Sequence, residues 1–222
     1  MIEAPLLMIN FKTYDQASGK EAVALTKYAA EVSKETKKSI ICCVQAADLH
    51  ACSKNKIPLF GEHVDIEPAG GHTGKVSIKA LIENGMTGCL INHSENRIPF
   101  TQIMETIALL QEADMVSVVC VKDEKEAKKI AKLTPDIIAI EPPELIGGDI
   151  SVTTADPAIV KKSVEAVRSV NEGIPVLCGA GVKTGKDVKA AIKLGAMGVL
   201  VASGITKAKD QKKAILQLTK GL

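Results

Sequence analysis

The sequence predicts an α/β fold: a single closed barrel of eight parallel strands with helices outside, (β/α)8, over residues 1–222. Three observations predict it. Short apolar runs alternate strictly with amphipathic segments, which argues for a parallel sheet. Several of those runs are apolar throughout, as in parallel strands covered on both faces. Polar residues that interrupt the runs fall at their C-terminal ends, where this architecture gathers its chemistry. A doubly wound open sheet is the structural alternative. No linker-like, repeated or low-complexity segment divides the chain, so one domain is expected.

In chain order, the expected strands are 6–10, 39–44, 60–65, 88–92, 116–121, 137–141, 175–179 and 198–202. Amphipathic patterns between them predict helices over 19–36, 79–84, 98–112, 125–133, 156–171, 185–194 and 207–220. The Lys-rich segment Lys122–Lys132 reads as a solvated helix face with Glu–Lys pairs one turn apart.

Composition excludes several functions. Net charge is +2, only Arg97 and Arg168 supply guanidinium, and aromatic residues are 2% with no Trp. Such a chain has neither the field nor the stacking surfaces for nucleic acid. The six cysteines, at 42, 43, 52, 89, 120 and 178, form no Cys-x-x-Cys pair, and five adjoin apolar runs. They read as buried, reduced thiols in a cytoplasmic protein, with no metal site expected. No run of 18 apolar residues and no export signal is expected to direct the chain to a membrane.

The strand ends carry the candidate chemistry. Glu141 closes the run Ile137-Ile-Ala-Ile140; Pro142-Pro143 and Gly147-Gly148 then frame a stiff-to-free loop suited to a lid. Asn10 and Lys12 follow the first strand, where a lysine would set a fixed cation against an anionic substrate. His93 follows the fourth strand at an expected helix start, with Ser94 as N-cap; a helix N-terminus would favour the neutral imidazole, a donor to a carbonyl oxygen. His50, His63 and His72 lack such settings and read as structural or surface residues. Gly179-Ala-Gly181 and Ala202-Ser203-Gly204 end the seventh and eighth strands, where main-chain N–H groups cradle phosphate in barrels of this kind. A phosphate grip, an acid under a lid, an imidazole and an ammonium suit proton abstraction beside a carbonyl with stabilisation of an enediolate, without a cofactor.

Taken together, Asn10-Phe-Lys12, Asn92-His-Ser-Glu95, Glu141-Pro-Pro-Glu-Leu-Ile-Gly147, Cys178-Gly-Ala-Gly181 and Ala202-Ser-Gly204 resemble the triosephosphate isomerase family, in its compact archaeal form. A neutral catalytic histidine and a closing loop are known features of that family and enter with the resemblance. The resemblance implies a TIM barrel that interconverts D-glyceraldehyde 3-phosphate and dihydroxyacetone phosphate in glycolysis and gluconeogenesis. It implies Glu141 as base, His93 as electrophile and Lys12 as electrostatic partner. Asn10, Phe11 and Lys12 would contact substrate; Ser94 and Glu95 would support that layer. Ile146, Gly147, Gly181, Ala202 and Ser203 would hold the phosphate, with Glu144 inside the lid and not the base. The segment 67–78, with Gly71-His-Thr-Gly74, is similar to the projecting third loop, so Thr73 would touch a partner subunit in a homo-oligomer, a dimer or a tetramer built from dimers. The lid departs from the family in lacking Trp and in having Gly147-Gly-Asp149 for the more usual Gly-Thr-Gly. Another phosphate-gripping barrel, such as a sugar-phosphate epimerase or synthase, and a non-catalytic sugar-phosphate sensor are the competing readings.

Overall fold

The computed structural model describes residues 4–142, 157–179 and 181–222. Eight parallel strands close into a barrel in chain order: β1 Leu6–Asn10, β2 Ser39–Val44, β3 Leu59–Gly61, β4 Met86–Ile91, β5 Val116–Val121, β6 Ile137–Ile140, β7 Val176–Gly179 and β8 Gly198–Val201. Closure is made by β1 on β8, with Leu6 opposite Gly198 and Ile9 opposite Val201.

The described helices outside the barrel are α1 Lys20–Thr36, α2 Leu49–Cys52, α3 Ile78–Glu83, α4 Phe100–Glu112, α5 Glu124–Ala131, α6 Pro157–Arg168, α7 Gly185–Lys193, α8 Ser203–Thr206 and α9 Gln211–Thr219. Their starts follow local chemistry. Asp123 and Asp210 accept main-chain N–H groups at the heads of α5 and α9, and Thr184 with Asp187 forms a capping box on α7. In α1, Ala22, Leu25, Ala29 and Val32 repeat at helical spacing and are fully buried against the sheet.

Two apolar layers result from the two-residue period of the strands. Leu6, Met8, Ile41, Cys43, Phe60, Leu90, Val118, Cys120, Ile137, Ala139, Leu177 and Leu200 fill the barrel. Leu7, Ile9, Ile40, Cys42, Val119, Ile138, Ile140 and Val199 face the helices instead. All six cysteines are buried and unbridged, and burial pushes the Cys178 thiol up to about 12. No described helix is long and apolar enough to cross a membrane.

Three expectations need correction. The third strand stops at Gly61 rather than running from 60 to 65: its pairing ends with Gly61 opposite Val44 and Cys89. Asp65 serves the following loop, accepting the Val76 N–H at 2.7 Å and the Lys75 ammonium at 3.1 Å. The helix expected over 98–112 begins at Phe100, because Pro99 biases Ile98 away from helical dihedrals. The helix expected over 207–220 begins at Gln211, after the Asp210 cap; Lys207 belongs to the end of α8. The remaining expected elements are displaced by no more than two or three residues. Asp156 lies outside the described residues.

The seam between β8 and β1 depends on a missing side chain. Gly198 sits at φ 144°, and a Cβ there would meet the Leu6 carbonyl oxygen at 2.2 Å. A backbone carbonyl within a paired strand cannot swing aside. Gly198→Ala is expected to destabilise the protein by about 2–4 kcal/mol, read by equilibrium denaturation at fixed protein concentration. A loss below about 0.5 kcal/mol, the usual surface value, would show that the seam relaxes freely.

Candidate active site

The C-terminal mouth of the barrel brings together residues from β1, β4, β6, β7 and β8. One cavity is lined by Asn10, Lys12, His93, Glu141, Gly181 and Ser203, together with neighbours from the same loops. Asn10 shares the inward parity of Leu6 and Met8, and Glu141 that of Ile137 and Ala139. Strand alternation therefore aims both side chains at the mouth.

Lys12 follows Asn10 in a left-handed conformation, φ 51°, with its main-chain N–H donating to Asn10 Oδ1 at 3.1 Å. A non-glycine residue there costs about 1–2 kcal/mol. Its Nζ reaches Glu95 Oε1 at 2.7 Å, and only 15% of the lysine side chain is exposed. The ammonium is thus anchored on one side and open toward the cavity.

His93 follows a second left-handed residue, Asn92, φ 60°, which breaks the alternation after Ile91. Asn92 ties the turn down, donating to the Cys120 carbonyl at 3.0 Å and accepting the Ile98 N–H at 3.2 Å. The expected helix start at His93 is not observed: residues 94–96 form a turn, closed by the Asn96 N–H on the His93 carbonyl at 2.8 Å, and α4 begins at Phe100. Ser94 caps no helix, and its buried hydroxyl oxygen has no hydrogen-bond partner among the described residues. The tautomer is fixed locally instead. The Glu95 main-chain N–H donates to His93 Nδ1 at 3.2 Å, so the ring proton lies on Nε2, 3.1 Å from Glu141 Oε1.

Glu141 is 5% exposed and its Oε2 is buried without a partner among the described residues. Burial pushes this carboxyl up, but hydrogen bonds from His93 and Cys120 and the charge of Lys12 outweigh it, holding it below the usual carboxylate range. It is a carboxylate with one oxygen held and the other idle. Room for it comes from β7: a Cβ on Gly179 would stand 2.8 Å from Glu141 Cγ.

Opposite these groups, Gly181 follows β7 and Ser203-Gly204 opens α8, preceded by Ala202. The first N–H groups of a helix have no carbonyl one turn earlier, which suits an anion. A short helix after the eighth strand is a recurrent phosphate site in barrels.

Other expected site residues lie elsewhere. The Phe11 side chain is fully buried among the outer residues Leu7 and Ile9. Glu95 is exposed and pairs with Lys12. Thr73 is exposed on the loop whose base Asp65 and Lys75 hold. His50 and His72 are exposed, and His63 pairs with Asp65 at 3.2 Å. Ile146, Gly147, Glu144, the Gly147-Gly148-Asp149 stretch and Ala180 lie outside the described residues. Tyr14 and Lys183 line the cavity unforeseen, as does Glu62 an adjoining one. Tyr14 and Lys183 sit beyond the strand ends, where no apolar pattern marks them. Among the described residues, no group of three or more His, Cys, Asp or Glu could hold a metal ion.

A family model described as triosephosphate isomerase matches residues 5–220. Triosephosphate isomerase of Methanothermus fervidus is 45% identical over 218 residues, covering 98% of each chain. That of Methanobrevibacter smithii is also 45% identical, over all 222 residues and the whole of both chains. Among solved structures, triosephosphate isomerase from Bartonella henselae superposes with a TM-score of 0.72 at 23% identity, covering 97% of this chain and 98% of that one. At that identity the superposition speaks for the barrel alone.

Proposed function

Because the chain belongs to the triosephosphate isomerase family, we propose that this mouth performs that family's reaction with Glu141, His93 and Lys12. The reaction interconverts D-glyceraldehyde 3-phosphate and dihydroxyacetone phosphate, in glycolysis and gluconeogenesis. The observation that carries the assignment is the 3.1 Å approach of His93 Nε2 to the Glu141 carboxylate, with the Lys12 ammonium opening onto the same cavity.

Substrate would enter with its phosphate against the main chain at Gly181, Ala202 and Ser203, and Ile146 and Gly147 completing the grip. Its carbonyl oxygen would take over the Nε2–H that otherwise reaches Glu141, and lie near Lys12. Glu141 would then remove a proton from the carbon beside that carbonyl. The pair of electrons moves into a carbon–carbon double bond as the carbonyl oxygen gains negative charge, which the imidazole N–H and the ammonium stabilise. The hydroxyl proton of the neighbouring oxygen passes to the charged oxygen, with the imidazole placed to relay it. Returning the abstracted proton to the former carbonyl carbon completes the isomerisation, with no net oxidant or cofactor required. The lid after Glu141 would exclude water while the enediolate exists.

The decisive experiment is a coupled NADH assay on chelator-treated protein. Turnover of either triose phosphate supports the reading, and none would sink it.

We take the chain as one domain of a cytoplasmic homo-oligomer, a dimer or a tetramer built from dimers. The exposed loop around Thr73, braced at its base by Asp65, Lys75 and Glu67, supports the subunit contact. Sedimentation is expected to give a species larger than the 23.4 kDa chain, and Thr73→Arg to shift it toward monomer with lower activity. A fully active monomer would remove that role.

A further inference from the structure

We propose that Glu62 acts through Lys12 and His93: from the cavity it shares with them, the charge state of its carboxyl sets how well that pair stabilises an anionic intermediate. The proposal rests on the roles assigned above to those two residues.

β3 ends at Gly61, so Glu62 is the first residue past the strand, at the same rim as Asn10, His93 and Glu141. It lines a cavity of about 320 Å³ with Asn10, Lys12, Thr13, His63, His93 and Glu95. That cavity shares Asn10, Lys12 and His93 with the proposed substrate site. The left-handed residue that delivers the ammonium, Lys12, is held from β1 through Asn10 and borders this cavity beside Glu62. The Glu62 carboxyl oxygen Oε1 is buried with no hydrogen-bond partner among the described residues. An ionised carboxylate would leave that oxygen charged and unsolvated.

The groups facing Glu62 come from every neighbouring strand. Lys12 follows β1, Cys43 lies on β2 and Asp48 after it, His63 adjoins Glu62 itself, Cys89 lies on β4, and His93 and Glu95 follow it. Burial pushes the carboxyl up, and the charges of Asp48 and Glu95 add to that. The balance places it at about 7. Around neutral pH the group therefore passes from a neutral acid to an anion. A neutral carboxyl leaves the full positive field of Lys12 for the substrate oxygen. An ionised one places a like charge beside the developing enediolate, and turnover falls as pH rises through about 7.

The test compares kcat/KM for wild type, Glu62→Gln and Glu62→Ala between about pH 6 and pH 9, with folding monitored by circular dichroism. The substrate phosphate also titrates near pH 6. Taking the ratio of variant to wild type cancels that contribution. The ratio for Glu62→Gln is expected to rise about threefold to tenfold across this range, with its midpoint near 7 and mostly in kcat. Glu62→Ala, which equally cannot ionise, is expected to show the same rise with the same midpoint.

Thermal unfolding gives an independent reading. A carboxyl whose folded pKa of about 7 exceeds its ordinary value of 4.5 binds more protons folded than unfolded between those values. Stability present below about pH 4.5 is thus lost as pH rises to about 7. Glu62→Gln should gain Tm over wild type near pH 8 and not near pH 5. A flat activity ratio in both variants overturns the proposal. Turnover that survives Lys12→Ala and Glu141→Gln undiminished would instead sink the underlying site assignment, whatever Glu62 does.

Discussion

Glu141→Asp is expected to lower kcat by about 10²–10³-fold with KM changed little and the fold intact. The substitution keeps the charge and removes one methylene, so the carboxylate retreats by about 1.5 Å, one carbon–carbon bond. Nothing nearby can follow it. Glu141 is 5% exposed, its Cγ lies where a Cβ on Gly179 would collide, and the main chain beneath is tied by the Glu141 N–H to the Val121 carbonyl at 2.8 Å. The shorter acid also gives up the approach to His93 Nε2. The phosphate site proposed at β7 and β8 is untouched, which is why the loss belongs in kcat and not in KM. The coupled assay measures it, with circular dichroism and sedimentation confirming structure. A variant within about fivefold of wild type would mean that the base is another residue, since a misplacement of this size costs far more.

The reach of the sequence is set by which physical rule governs each residue. Strands such as Leu6–Asn10 and Val116–Val121 were legible to the residue, because a parallel strand covered on both faces reads as a near-continuous apolar run. Parity then tells which way their ends point. Glu141 continues the inward series Ile137, Ala139, and Asn10 the series Leu6, Met8. The same rule applied to Phe11 assigns it to the outer series with Leu7 and Ile9, where it is found. Its expected substrate contact came from the family motif, which does not separate main chain from side chain.

His93 is the opposite case. Asn92 takes a left-handed conformation that alternation does not anticipate, and Ser94 imitates a helix cap in sequence while Pro99 decides where α4 starts. In place of the expected helix dipole, one main-chain N–H on Nδ1 orients the ring. Glu62 was hidden by the third strand itself. Drawn as 60–65, that strand puts Glu62 in its middle; ended at Gly61, it puts Glu62 at the rim. Pairings across 83 residues, such as Lys12 with Glu95, follow from barrel closure and leave no local trace in sequence.

That last pairing makes Lys12→Ala the other large effect: kcat/KM is expected to drop by about 10³-fold. Two losses combine. The ammonium that faces the substrate oxygen disappears, and Glu95, relieved of its partner at 2.7 Å, becomes an uncompensated anion beside an anionic substrate. The second loss can be separated from the first. Adding Glu95→Gln to Lys12→Ala removes the stranded charge and should recover about threefold to tenfold, whereas Glu95→Gln alone should cost less than tenfold because it only loosens the lysine. Lys12→Arg keeps the charge but spreads it over a planar fork, and only 15% of the lysine side chain is exposed, leaving little space for a larger head group. It should recover little of the rate. Steady-state assays of the four variants decide the matter. If Lys12→Ala stays within about threefold of wild type, the cation is not used in the reaction; if the double variant is no better than Lys12→Ala, Glu95 is not the charge that Lys12 holds in check.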